Sequence, residues 1–226
     1  MYLKVQKNTK GKDYVVGDIH GMYDLLMQTL NKLEFDFNRD RLFSVGDLVD
    51  RGPKNVEVMN LIDEEWFIPV RGNHEQFIAA VANYTYEPYI HQANGGQWYY
   101  GLHPHVQQDI LDKVKTLPLM IETEVDGKTI GFVHGDINDW DTSVYIIKTL
   151  LEEDIDNDVT AQKLIWGRSR IKNKNAIPAK GIDHVFLGHT PLENIVTLGN
   201  CHFIDTAAVF GNKLTVLNIS DFLKDK

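Results

Sequence analysis

Five short apolar runs in this chain each end at a glycine that lies close to an aspartate, asparagine or histidine. Such a run has the length of a buried strand, and the polar residues after it would lie in the following loop. In α/β folds, ligands bind outside the carboxyl ends of the strands, so loops of this kind are where a functional site is built. The runs and the residues that end them are Tyr14–Val16 with GDIHG (17–21), Leu42–Val45 with Gly46 and Asp47, Phe67–Val70 with RGNHE (71–75), Ile130–Val133 with His134, Gly135 and Asp136, and Val185–Leu187 with Gly188, His189 and Thr190.

Helical patterns follow the first three runs. The alternation of strand, loop and helix predicts an α/β fold with helices covering the strands. The first predicted helix begins at Asp24 with Leu26, Leu30 and Leu33 on one face, and the next two begin at Asn55 and Glu75.

The second half of the chain is predicted to be richer in strands. Asp126-Gly127 lies between two apolar runs and is a strong signal for a tight hairpin, because both residue types tolerate a positive φ. Residues 195–219 read as several strands joined by turns at 198–200 and 211–213. A length of 226 residues is typical of one large domain, so we expect residues 1–226 to form a single domain.

Charge and composition exclude several classes of protein. The formal net charge is −9 at pH 7, whereas proteins that bind nucleic acid usually present a basic face, so we expect no nucleic-acid partner. No apolar run approaches the roughly 18 residues of a membrane helix, and the N-terminal segment lacks the apolar stretch of a secretory signal. The one cysteine, Cys201, cannot form an internal disulfide. We therefore expect a cytoplasmic protein with no membrane partner.

The polar loops supply oxygen and imidazole-nitrogen donors and no thiolate. Such donors suit manganese, iron, zinc or nickel. Six donors exceed what one structural metal takes, but they could hold two ions if one carboxylate bridges, and a two-metal pair stabilises an in-line displacement at phosphorus. Each motif alone is weak, since a Gly-Asp pair is usually only a turn; their joint occurrence indicates a metal site. The candidate ligands are Asp18, His20, Asp47, Asn73, His134 and His189.

These motifs resemble the signature of the PPP-type serine/threonine protein phosphatases, and more closely that of their bacteriophage lambda-type subfamily. The general likeness is carried by GDIHG (17–21), GDLVDRG (46–52), RGNHE (71–75), the His134 block and GHT (188–190). The closer likeness is carried by SVGDLVDRGP (44–53), VRGNHEQ (70–76), NGGQW (94–98), LIWGRSRI (164–171), LGHTP (187–191) and FIDTAAVFG (203–211). The resemblance implies the metallophosphatase (calcineurin-like phosphoesterase) fold, in which two mixed β-sheets are sandwiched between helices.

The resemblance also implies a role for each motif residue. Asp18 and His20 would bind the first metal, Asp47 would bridge both ions, and the second metal would use Asn73, His134 and His189. Two arginines, Arg51 and Arg168, would bind the phosphate, as a planar guanidinium matches two phosphate oxygens; Asn73 and His74 would contact it too. His74 would be the general acid, oriented by Asp50, because a carboxylate beside an imidazolium helps it keep its proton near neutral pH.

The implied reaction is hydrolysis of a phosphomonoester by a water activated between two metal ions. The expected substrate is a phosphoprotein or phosphopeptide, cleaved with broad specificity, and the expected ions are two Mn²⁺, with iron, zinc or nickel as alternatives. One rival is a symmetrical diadenosine tetraphosphate hydrolase, which shares the metal motifs but matches the NGGQW and LIWGRSRI blocks less closely. Another is a non-catalytic metal-binding module; the presence of every expected ligand, of His74 and of both arginines argues against it.

The chain departs from the subfamily pattern at Met22, Gly135 and Ala207. Ala207 replaces a usual glycine, so it would be strained if its backbone needs a positive φ. His91 is interpreted as structural, and Arg170 as part of a solvated basic run with Lys172 and Lys174.

Overall fold

The computed structural model describes residues 1–224, which form two β-sheets with helices on their outer faces. The strands are β1 (Tyr2–Lys4), β2 (Asp13–Val16), β3 (Arg41–Ser44), β4 (Phe67–Pro69), β5 (Met120–Val125), β6 (Lys128–Phe132), β7 (His184–Leu187), β8 (Val196–Leu198), β9 (Cys201–Phe203) and β10 (Val216–Asn218). The helices are α1 (Tyr23–Lys32), α2 (Asn55–Asn60), α3 (Asn73–Ala82), α4 (Pro88–His91), α5 (Gln97–Tyr100), α6 (Pro104–Thr116), α7 (Trp140–Ile147), α8 (Val159–Trp166), α9 (Ser169–Lys172) and α10 (Ile219–Lys224).

Both sheets are mixed. The larger is 6-stranded in the order β1-β5-β6-β7-β9-β8, and the smaller is 4-stranded in the order β10-β2-β3-β4. Strands β2, β3 and β4 run parallel, as do β6, β7 and β9. The carboxyl ends of these parallel strands carry the polar loops singled out in the sequence, as the α/β prediction required.

The two sheets pack face to face through a shared apolar core. Phe43 of β3 stacks on Phe132 of β6 with ring centroids 4.4 Å apart, and both rings are fully buried. On the outer face of the smaller sheet, Leu26 and Leu30 of α1 belong to a second apolar cluster. A third cluster covers the outer face of the larger sheet and includes Trp140 of α7. The predicted fold class, two mixed sheets between helices, is confirmed.

The local predictions were accurate for strands and for helix starts, with the three predicted helices beginning within two residues of Asp24, Asn55 and Glu75. Each of the five apolar runs contains a strand within one or two residues of its predicted bounds. The predicted hairpin turn is present, with φ of 51° at Asp126 and 77° at Gly127. Leu33, predicted to face the core, is 39% exposed because α1 ends at Lys32. Within residues 1–224, no helix is both long and apolar enough to cross a membrane.

Ala207 adopts the left-handed backbone conformation in which an alanine is strained, with φ 59° and ψ 39°. Its N–H donates to Asp205 Oδ1 at 2.9 Å, and its carbonyl accepts from the N–H of Phe210 at 3.0 Å, so hydrogen bonds hold the turn in place. An alanine in this region costs about 1–2 kcal/mol, whereas glycine has no such penalty but loses more backbone entropy on folding.

We therefore expect Ala207→Gly to raise the free energy of unfolding by about 0.5–1 kcal/mol, measured by denaturant titration. The matched control is Ala208→Gly. Ala208 is buried in the following helical turn, where glycine is less favourable than alanine, so this substitution should lower the free energy of unfolding. Equal effects of the two substitutions would show that the turn at Ala207 stores no strain.

Candidate active site

The carboxylate of Asp47, in the loop after β3, lies at the centre of the site. Its Oδ1 is 3.2 Å from Nε2 of His134, and its Oδ2 is 3.7 Å from Nε2 of His20. Among the described residues, two groups could hold a metal ion, His20 with Asp47 and His74, and Asp47 with His134 and His189. Asp47 belongs to both groups, which is the position that a bridging ligand needs.

The two remaining candidate ligands, Asn73 and Asp18, lie beside these groups. Asn73 opens α3, and its Oδ1 is 2.9 Å from Nε2 of His134. Asp18 belongs to neither compact group; both of its carboxylate oxygens accept the backbone N–H of His189, at 3.0 and 3.2 Å. All six candidate ligands are therefore brought together in space, while their assignment as ligands stays a prediction.

The imidazoles are oriented as metal ligands usually are. The Nδ1–H of His20 donates to the carbonyl of Val49 at 2.8 Å, and that of His134 donates to the carbonyl of Val45 at 2.7 Å. These bonds fix the tautomer and leave Nε2 of each ring facing Asp47.

The pKa values of the candidate ligands also suit a bound cation. Burial lowers the pKa of His20 to about 4 and that of His189 to about 3, so both rings are neutral near pH 7. Both ring nitrogens of His189 are buried, and neither has the geometry of a hydrogen bond with any described residue. Burial, with Asp205 and Asp47 nearby, raises the pKa of Asp18, and a bound cation would offset this charge repulsion. A hard, thiolate-free set of imidazoles and carboxylates fits divalent transition metals.

His74 points one ring nitrogen at a buried carboxylate and the other at the metal-capable groups. Its Nδ1–H donates to Asp50 Oδ2 at 2.6 Å, and its Nε2 is 3.9 Å from Asp47 Oδ2. Although burial of Asp50 opposes ionisation, hydrogen bonds from His74 and His91 hold the pKa of that carboxyl below its usual value. His74 and Asp50 are thus paired as the sequence predicted, and His91, interpreted as structural, proves to contact the same carboxylate.

The two arginines both line a small cavity of about 90 Å³. Nη1 of Arg51 is 2.7 Å from Nε2 of His20, and its guanidinium carbon lies 5.4 Å from the ring centroid of Phe210. Nη2 of Arg168 donates to the carbonyl of His189 at 3.2 Å. The cavity is lined by Asp47, Arg51, Asn73, His74, Arg168, His189, Pro191, Asp205 and Phe210.

Asp136 places Arg168 through the start of α9. Its Oδ2 accepts Ser169 Oγ at 2.6 Å and the backbone N–H of Arg170 at 2.9 Å. Arg170 is only 2% exposed, and its guanidinium donates to the carbonyl of Ile137 at 2.9 Å, so its interpretation as a solvated residue was wrong. A buried arginine paired with backbone carbonyls carries no periodic signal that a sequence could reveal.

Asp205 was also missed as a site residue. It lines the cavity and is 5% exposed, and burial raises the pKa of its carboxyl. It stands inside FIDTAAVFG (203–211), so its motif was noticed but its side chain was not singled out.

Comparison with known proteins agrees with this geometry. Over 222 residues the chain is 34% identical to the serine/threonine-protein phosphatase 1 of Salmonella typhimurium, covering 97% of each protein. It is 44% identical over 71 residues to a symmetrical bis(5'-nucleosyl)-tetraphosphatase of Nitrosococcus oceani, covering 30% of this chain and 26% of that protein. The crystal structure of a putative diadenosine tetraphosphatase superimposes with a TM-score of 0.65 at 18% identity, covering 95% of this chain and 91% of the other, and so shares the fold.

The sequence model of the calcineurin-like phosphoesterases matches residues 14–218. That range includes every candidate ligand, His74 with Asp50, and both arginines. The family that the motifs predicted is confirmed: this chain belongs to the calcineurin-like phosphoesterase family.

Proposed function

We propose that this chain is a serine/threonine protein phosphatase that hydrolyses phosphomonoesters with two divalent metal ions, most simply Mn²⁺. The observation that carries the proposal is the convergence of Arg51 and Arg168 on one cavity beside two metal-capable groups that share Asp47. Two guanidinium groups next to such a centre form a receptor for a phosphoryl group with two or more free oxygens.

We assign Asp18, His20 and Asp47 to one ion, and Asp47, Asn73, His134 and His189 to the other. Once bound, the two ions would activate the attacking water and stabilise charge on the phosphoryl group. Support for two ions is the position of Asp47, whose two carboxylate oxygens face different imidazoles.

The chain's own side chains would perform the remaining steps. Arg51 and Arg168 would bind the non-bridging phosphate oxygens and orient the ester for in-line attack, and their charge would stabilise the transition state. His74 would donate its Nε2 proton to the leaving oxygen, while its Nδ1–H stays hydrogen-bonded to Asp50. A serine or threonine alkoxide is a poor leaving group, so this proton transfer matters most for phosphoprotein substrates.

A phosphoprotein substrate has more support than a dinucleotide. Similarity to a named serine/threonine phosphatase extends over 97% of the chain, whereas similarity to the tetraphosphatase covers 30%. The small cavity is lined by both arginines, which suits a phosphoryl group presented by a side chain on a protein surface. We further propose that residues 1–226 act as one domain in the cytoplasm; the buried free thiol of Cys201 is compatible with a reducing compartment.

The substrate class can be tested by comparing kcat/KM for a phosphoserine peptide and for diadenosine tetraphosphate, with added Mn²⁺. We expect the phosphopeptide to be hydrolysed far more efficiently. The Asp47→Asn variant, purified in parallel, measures any contaminating phosphatase. If the dinucleotide is the better substrate and phosphopeptides are barely cleaved, the chain is a dinucleotide hydrolase.

Metal dependence can be tested with chelated protein. We expect activity to be lost on chelation and restored by Mn²⁺, and calorimetric titration of metal-free protein to show two binding events. Asp47→Asn should weaken both events, because a bridging ligand serves both ions. The control is Asp126→Asn, at the hairpin tip, where asparagine tolerates the positive φ. Full turnover by protein shown by elemental analysis to be metal-free would refute the two-metal proposal.

The acid role of His74 can be tested through the leaving group. His74→Asn should slow hydrolysis of a phosphoserine peptide by about 10²–10⁴-fold and that of nitrophenyl phosphate clearly less, because nitrophenolate leaves without a proton. His74 could instead bind a metal, since it belongs to one of the metal-capable groups. In that case both substrates would lose activity equally and the bound metal measured in the same variant would fall. Exposed His105 supplies the control variant His105→Asn.

A further inference from the structure

The carboxylate of Asp50 accepts hydrogen bonds from more than His74. Trp98 Nε1–H donates to Oδ1 at 2.7 Å, and His91 Nε2 lies 3.1 Å from both oxygens. His74 Nδ1–H reaches Oδ2 at 2.6 Å. Asp50 is fully buried, so its orientation is set by these donors rather than by water.

His91 and Trp98 belong to one short segment, residues 88–100, which we call the NGG segment. It consists of α4, a π-type turn at Gln92–Gly96 and α5. The turn brings the end of α4 and the start of α5 to the same carboxylate. The segment contains NGGQW (94–98), a motif that the sequence marked but to which no role was given.

The two glycines of this motif explain why the segment can approach so closely. A Cβ at Gly96 would overlap with the imidazole ring of His91. Gly95 has φ 103°, and a Cβ there would lie 2.8 Å from the backbone nitrogen of Arg51. The NGG segment therefore packs directly on the turn that carries both Asp50 and Arg51.

The turn at Asp50 and Arg51 is strained and must be stabilised by its surroundings. Asp50 has φ 73° and Arg51 has φ 69°, two consecutive non-glycine residues in a conformation that each adopts at a cost. The backbone N–H of Asp50 donates to Asn55 Oδ1 at 2.8 Å, which fixes the main chain but not the carboxylate. The side-chain orientation of Asp50 is thus left to His74 and to the donors of the NGG segment.

We propose that His91 and Trp98 are positioning residues that hold the Asp50 carboxylate in line with Nδ1 of His74, so that Nε2 of His74 is aimed at the leaving oxygen. The proposal rests on the acid role given to His74 above. His91 donates from Nε2, and its Nδ1 is 3.2 Å from the hydroxyl of Tyr100, which supplies the matching donor. Neither His91 nor Trp98 lines the cavity, so each would act through Asp50 and not on the substrate.

The substitutions Trp98→Phe and His91→Leu each remove one hydrogen-bond donor and put an apolar side chain of similar size in its place. His91→Gln retains an N–H donor near the position of Nε2 and is the conservative variant. The matched control is Trp140→Phe: the indole N–H of Trp140 donates to a carboxylate, Glu122 Oε2, at 2.8 Å, in a buried position outside the cavity. Trp140→Phe therefore removes the same kind of hydrogen bond, from an indole to a carboxylate, elsewhere in the fold.

The measured quantity is the ratio of kcat/KM for a phosphoserine peptide to that for nitrophenyl phosphate, in the metal-loaded enzyme. Loss of an outer-shell partner that orients a metal ligand typically costs about 10–100-fold, and we expect the same order for partners that orient the general acid. We expect Trp98→Phe and His91→Leu to lower the ratio at least about tenfold, with bound metal unchanged, and His91→Gln to recover most of it. Trp140→Phe should leave the ratio at its wild-type value. A purely structural role would lower both rates equally, and that result would overturn the proposal.

A second readout does not depend on activity. The proton between His74 Nδ1 and Asp50 should give a downfield ¹H NMR resonance, assigned by its disappearance in His74→Asn. We expect this resonance to shift or broaden in Trp98→Phe and to be unchanged in Trp140→Phe. An unchanged resonance in Trp98→Phe would refute the positioning role. If wild-type protein hydrolyses neither substrate, the proposed function fails, while this resonance still decides whether His91 and Trp98 position Asp50.

Discussion

The site depends on the buried carboxylate of Glu75, which joins the loops after β3 and β4. It accepts backbone N–H groups from Gly72 at 2.8 Å, Asp47 at 3.0 Å, Leu48 at 2.8 Å and Val49 at 3.2 Å. One side chain thus satisfies donors that would otherwise be buried without partners, which is costly. Because these donors belong to the loops that carry Asp47 and Asn73, Glu75 holds the central candidate ligand and its neighbour in fixed relation.

Backbone strain recurs at the strand ends that carry the site, after β2, β3 and β7. His20, Asp47, Asp50, Arg51 and His189 all have positive φ, between 46° and 73°. Such conformations persist only where the surroundings determine them, and they cluster at functional sites. Here they turn the chain sharply after β2, β3 and β7, so that side chains from distant parts of the sequence meet within a few ångströms. Backbone N–H groups of this loop donate to Glu75 and to Asn55 Oδ1, and these hydrogen bonds, together with packing by the NGG segment, maintain the strained loop after β3.

Much of the site could be predicted because its signals are local. A strand followed by glycine and a ligand-type residue is legible in four or five consecutive residues, and recurs at Asp18, Asp47, Asn73, His134 and His189. The residues that were missed have no such signal. His91 acts through a carboxylate 41 positions away, Asp205 approaches Asp18 from the other end of the chain, and buried Arg170 resembles the exposed cations beside it in sequence.

The sequence by itself determined the family and the fold class and supplied the candidate residues for binding metal and phosphate, because these follow from short motifs and from the apolar periodicity of strands. Tertiary structure decided which of those groups lie together, which nitrogen of His20 and of His134 faces Asp47, and which side chains donate hydrogen bonds to the Asp50 carboxylate. Those properties depend on contacts between segments such as β3, α3 and the NGG segment. They arise from close packing and from the need to pair every buried polar group, neither of which is expressed in the order of the residues alone.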